Sequence, residues 1–106
     1  MSPFETAKET VLYILEDDHT ELWFLVADIH KLYPNASLPE LQAVTKQVVY
    51  ELMCEHPIQL LDPATELPLP DSAESVSKQI ESLFTRLNQL PNIGDGIWLG
   101  IPRSSS

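Results

Sequence analysis

The stretch ELWFLVADIHKLYPNASLPELQAVTKQVVYELMCEHP, Glu21 to Pro57, decides the fold. Leu22, Leu25, Val26, Ile29, Leu32 and Tyr33 recur at three- and four-residue spacing, which predicts a helix with one broad buried face. Thr20 is its expected N-cap. Pro34-Asn35 stops it, because a proline pushes the residue before it out of the helical region. A second helix restarts at once from Ser37-Leu38-Pro39-Glu40, a capping box in which serine and glutamate satisfy each other's backbone donors. Leu41, Val44, Val48 and Leu52 form its stripe, flanked by Val49 and Met53, and His56-Pro57 ends it.

Upstream, Ser2, Pro3 and Glu5 mark the start of a further helix. Its stripe is Phe4, Ala7, Val11, Ile14 and Leu15, and Glu16-Asp17-Asp18-His19 reads as an exposed turn. Downstream, Ile58–Leu61 reads as a short strand, and Pro63, Pro68 and Pro70 make the next stretch extended and poorly suited to a sheet centre. A fourth helix, capped by Asp71 or Ser72, carries Val76, Ile80, Leu83, Phe84 and Leu87. Gly94-Asp95-Gly96 then turns the chain into a closing strand, Ile97–Ile101. A lone strand cannot satisfy its backbone groups, so the two strands are expected to pair antiparallel. The fold class that results is mainly α within α+β. A three-helix core carries a two-stranded antiparallel sheet, with an extra helix inserted between the strands. Residues 1–102 are expected to form a single domain, with 103–106 a flexible tail.

This order resembles the winged-helix superfamily, with Glu21–Tyr33 and Leu38–Glu55 as its helix-turn-helix pair. More closely, Leu22-Trp23, Tyr33-Pro34, Val48-Val49-x-Glu51-Leu52 and Ile58-x-Leu60 resemble small uncharacterised bacterial winged-helix proteins. Where a usual wing is a short hairpin, this chain places about thirty-five residues and a helix. The resemblance implies that the outer face of the second helix of the pair enters the major groove of DNA. That face carries Glu40, Gln42, Ala43, Lys46, Gln47, Tyr50, Glu51 and Glu55, three carboxylates against one lysine.

Charge works against that use. The 106 residues hold 6 Lys plus Arg and 16 Asp plus Glu, a formal net charge of −10. Affinity for a duplex comes largely from cations displacing its counterions, so a nucleic-acid partner is disfavoured. The acidity is uneven: residues 1–33 carry seven acids and two bases, whereas residues 71–106 carry four and three. A basic protein surface is the partner that such a face suits, since charge complementarity speeds encounter and selects partners. We therefore expect a small acidic protein-interaction module, such as an immunity or antitoxin protein that masks a basic partner. The alternative is a winged-helix transcription regulator that binds DNA, including as a homodimer. Residues expected at a partner-binding face are Glu16, Asp17, Asp18, Glu21, Trp23, Glu40, Glu51, Glu55 and Trp98. The simpler reading of both tryptophans is that they complete the core, where aromatic rings bury large areas.

Signs of chemistry are thin. Asp17-Asp18-His19 has metal-ligand residue types but no partners at recognisable spacing, so no metal or cofactor is expected. Cys54 and His56 should diverge at a helix end, and a packed thiol is the simpler reading. Gly94-x-Gly96 precedes a strand, whereas a dinucleotide fingerprint follows one and opens a helix. No catalytic constellation can be assembled, and no catalysis is expected. One cysteine, no signal-peptide pattern and no long apolar run point to a cytoplasmic protein without a membrane span.

Overall fold

Four helices and three short strands follow one another as α1 (Pro3–Asp17), β1 (Thr20–Glu21), α2 (Leu22–Leu32), α3 (Leu38–Glu55), β2 (Gln59–Leu61), α4 (Ala73–Leu87) and β3 (Trp98–Gly100). These come from a computed structural model that describes residues 2–62, 65, 67–87 and 97–101. The expected Gly94–Gly96 turn and the 103–106 tail lie outside the described residues. So do Pro63 and the side chain of Leu87.

The helix ends behave as their residue types dictate. Ser2 Oγ accepts the Glu5 N–H at 3.2 Å, and Pro3 needs no such partner. The α3 box is reciprocal: Ser37 Oγ accepts from the Glu40 backbone, and Glu40 Oε1 accepts from the Ser37 N–H and hydroxyl. At α4, Ser72 Oγ takes the Ser75 N–H at 3.1 Å, while Asp71 receives the Ser75 hydroxyl and the Gln79 amide. Ser72 is therefore the cap and Asp71 its brace.

The sheet has three strands, not the expected two. Its order is β1-β3-β2, all antiparallel, with Leu99 opposite Thr20 on one side and Leu60 on the other. The β2–β3 pairing is as read from the sequence. The added strand comes from the turn after α1: Thr20 and Glu21 pair with Leu99 and Trp98, and the Leu22 N–H donates to the Ile97 carbonyl at 2.9 Å. Glu21, not Thr20, is consequently the residue before α2, and its side chain makes no capping bond. A strand of two residues has no alternation to detect. Its partner on β3 supplies the hydrogen bonds that make it a strand.

Outside β2, the chain returns along the free edge. The Leu69 N–H donates to the Leu60 carbonyl and the Asp62 N–H to the Leu67 carbonyl, with Leu61 opposite Pro68. Proline is tolerated there because its missing donor falls on an edge. Close packing on both sides of the middle strand restricts Gly100. A Cβ at that position would lie 2.9 Å from both His19 Cβ and Leu61 Cδ1.

One core joins the four helices with β2 and β3. Ala7, Val11 and Leu15 of α1 meet Leu22, Leu25, Val26 and Ile29 of α2 and Leu41, Val48, Val49 and Leu52 of α3. Leu60, Ile97 and Leu99 carry it into the sheet, and Val76, Ile80, Leu83 and Phe84 of α4 close it on the side of α3. Thr45 is buried among these residues, and its hydroxyl has no hydrogen-bond partner.

Candidate functional site

The outer face of α3 is the first place to look, since the helix-turn-helix reading assigns recognition to it. It is flanked on both sides. From α1, Lys8 sends its ammonium to Glu51 Oε1 at 3.0 Å and to Glu55 Oε1 at 3.0 Å. From α4, Glu81 takes Lys46 at 2.7 Å and Glu74 accepts the Tyr50 hydroxyl at 3.1 Å. Gln47 donates to the second oxygen of Glu51 at 2.7 Å.

These contacts set the protonation behaviour of the face. The Gln47 amide, followed by the Lys8 ammonium, holds the Glu51 carboxyl below the usual carboxylate range. Glu81 is lowered by Lys46, and Glu74 by its own backbone N–H and then by Tyr50. Lys8 is raised by Glu55 and Glu51, and Tyr50 is raised because its proton is held by Glu74. Four of the eight residues expected at a DNA face, Lys46, Tyr50, Glu51 and Glu55, therefore spend their polar groups on neighbouring helices. What remains exposed on α3 is Pro39, Glu40, Ala43, Gln47, Cys54 and Glu55, a set without a cation.

The residues expected at an acidic partner face do not form one surface. Glu51 and Glu55 belong to the Lys8 clamp, and Glu40 to the α3 cap. Glu21 is buried at 8% exposure in β1, opposite Trp98, so it is not a surface carboxylate. Its burial follows from the strand that the sequence did not reveal. Trp98 is half-buried, with its ring centroid 5.5 Å from that of His19, and Trp23 is half-buried with its ring edge-on to Phe24 at 5.6 Å. Glu16, Asp17 and Asp18 remain exposed at the end of α1. Cys54 is a free, exposed thiol, not the packed one expected from its helix position.

Two aromatic residues that sequence reasoning passed over complete the picture. Tyr13 on α1 is 75% exposed and Phe24 on α2 is 43% exposed. They stand on either side of a cleft of about 250 Å³ whose other walls include Ile14, Asp17, Asp18 and His19. The signal for Tyr13 was available: it falls between Leu12 and Ile14 but off the Ala7–Val11–Leu15 line. A second groove, of about 430 Å³, runs along α4 beside Lys78, Gln79, Ser82 and Arg86, with Leu83 and Ile97 at its base.

Comparison with protein-family models, curated proteins and solved structures gives no match. The geometry has to carry the functional reading alone. Among the described residues no three His, Cys, Asp or Glu side chains converge as metal ligands, and no helix is long and apolar enough to cross a membrane.

Proposed function

We propose that this chain is an elaborated winged-helix module, without catalysis of its own, that docks an acidic face on a basic protein. The winged-helix reading is supported by the α2–α3 pair, by the antiparallel β2–β3 ribbon and by the long helical insertion between those strands. The single observation that carries the functional reading is the α3 surface. The stripe left open between α1 and α4 offers no cation to a phosphate backbone. The exposed carboxylates Asp17 and Asp18 instead line a cleft together with the exposed aromatic rings Tyr13 and Phe24, the residue type enriched at interface hot spots. A cytoplasmic immunity or antitoxin-like role, masking a basic partner, is the concrete version of this reading.

Regulation of transcription is the rival, and the resemblance in Leu22–Leu60 is what favours it. The two readings differ in a mobility-shift titration against random duplex at about 0.15 M salt. DNA binders show non-specific affinities of about 10⁻⁴–10⁻⁶ M, and this protein should fall short of them. Micromolar duplex binding would replace the interaction-module reading with the regulator.

A further inference from the structure

Cations are scarce in this chain, and those on α1, α2 and α3 are used internally. Lys8 holds Glu51 and Glu55 at 3.0 Å, Lys31 holds Asp28 at 3.3 Å, and Lys46 holds Glu81 at 2.7 Å. Lys78 and Arg86 of α4 hold no ion pair among the described residues, although the chain has 16 Asp plus Glu to offer. Both are exposed, and both line the groove of about 430 Å³ along α4. Glu81 feels the charge of Lys78, but its carboxylate is taken by Lys46 from α3.

Helical spacing puts Ser75, Lys78, Gln79, Ser82 and Arg86 on one face of α4, beside the buried Val76, Ile80 and Phe84. Buried Leu83 and Ile97 form the floor, so a side chain entering the groove meets apolar surface between the two cations. The amino-terminal end is fixed from within. The Ser75 hydroxyl donates to Asp71 Oδ1 at 3.0 Å and the Gln79 amide to the same oxygen at 3.3 Å, so Asp71 has its own donors there. The volume falls within the range of about 300–1,000 Å³ in which ligands are taken up.

We propose that this groove binds an extended acidic peptide segment, with two carboxylates four residues apart and an apolar residue midway between them. Lys78 and Arg86 are eight positions apart, about 12 Å along the helix at roughly 1.5 Å per residue. In an extended chain four residues cover about 13 Å, and positions i, i+2 and i+4 point to one side. The outer carboxylates then reach Lys78 and Arg86, and the middle side chain lies over Leu83 and Ile97. Arg86 can hold its carboxylate through two parallel N–H groups, and Ser82 adds a hydroxyl between the cations. Single-stranded nucleic acid is another chain of spaced anions, but its binders stack bases on aromatic rings, and none of the described residues lining the groove is aromatic. The net charge of −10 does not forbid an acidic ligand here. At 0.15 M salt screening acts over about 8 Å, so the cations at hand govern the contact. The groove differs from the acidic face in place and in sign of charge, so neither reading rests on the other.

The probe is a blocked peptide, Gly-Glu-Ser-Leu-Ser-Glu-Gly, titrated into the full chain and followed by NMR at the methyl groups of Leu83 and Ile97. Saturable shifts are expected, with a Kd of ~0.1–1 mM for so short a ligand. Replacing both glutamates by glutamine should abolish saturation, and replacing the leucine by serine should weaken binding several-fold. Lys78→Gln with Arg86→Gln should weaken the parent peptide by about tenfold. Both side chains are exposed, so this variant should keep its Tm. Equal affinity for the glutamine peptide would overturn the proposal, and so would equal affinity of wild type and double variant for the parent peptide. A thymidine oligonucleotide that displaces the peptide from the groove would overturn it in favour of a nucleic acid. The absence of shifts at about 10 mM peptide would overturn it outright.

Discussion

Lys8 of α1 holds Glu51 of α3 at 3.0 Å, with Glu55 at the same distance on its other side. One cation is thus shared by two acids that an outward-facing reading of α3 left to solvent, and Glu55 stays exposed beside it. The contact ties the first helix to the third.

Its pH dependence has a definite sign. Glu51 is lowered from 4.5, so its contribution is present above that pH and lost as the pH falls through the lower folded value. Lys8 is raised from 10.5, so its contribution is present below that pH and lost as the pH rises through the higher folded value. Acidification also relieves self-repulsion in a chain of net charge −10, so the wild-type melting curve alone is ambiguous. The gap in Tm between wild type and Lys8→Met cancels most of that common effect. It should be widest between these limits and should close below pH 4.5. A gap that does not narrow on acidification would mean that the pairing of Lys8 with Glu51 and Glu55 does not set it.

Reversing Glu51 and Glu55 to lysine should lower Tm, because three ammonium groups would then crowd the site that Lys8 now completes. The loss should shrink at about 1 M salt, where screening shortens the reach of charge to about 3 Å. Thermal melts at two salt concentrations compare the variant with wild type directly.

Thr45→Val should stabilise the protein by about 1 kcal/mol. The hydroxyl is buried without a partner, a situation that costs about 1–3 kcal/mol, and valine has nearly the same shape. Urea denaturation of the variant gives the value. A loss of stability would mean that the hydroxyl has a bound partner in solution, such as an ordered water.

Gly100→Ala should destabilise by about 1–3 kcal/mol through overpacking, because the new methyl group meets His19 and Leu61 at 2.9 Å. Leu61 is itself buried, so Leu61→Ala also destabilises, but the loss in the double variant should be smaller than the sum of the two single losses because one of the two clashes is gone. Chemical denaturation of the single and double variants tests the pair.

The helices were legible because each repeats its apolar residues over three or more turns, and their caps were legible because Ser2, Ser37 and Ser72 are chemically specific. The β2–β3 pairing could be read from two apolar runs with nothing else to pair with. Thr20–Glu21 could not, because two residues become a strand only through the hydrogen bonds of a distant partner. That omission misplaced Glu21 on the surface. The acidity of the first two thirds of the chain was legible as composition, but its division into the Glu51–Glu55 clamp, the Glu40 cap and the exposed acids at the end of α1 depends on which helices lie next to one another. Lys8 and Glu51 are 43 positions apart, and no local pattern links them.

The sheet's middle strand is the last of the three to leave the ribosome. β1 and β2 flank β3 and do not pair with each other, so β1, and the edge of β2 turned away from Leu67–Leu69, must wait for Trp98–Gly100 to pair. Synthesis proceeds at about 5–20 residues per second, so the ~77 positions from Glu21 to Trp98 take roughly 4–15 s. During that interval a nascent chain holds two incomplete strands beside a nearly finished helical bundle. Neighbouring chains on a polysome pass through the same stage side by side. The acids crowded into residues 1–33 are made first, and their mutual repulsion would keep those unpaired edges apart until the closing strand arrives.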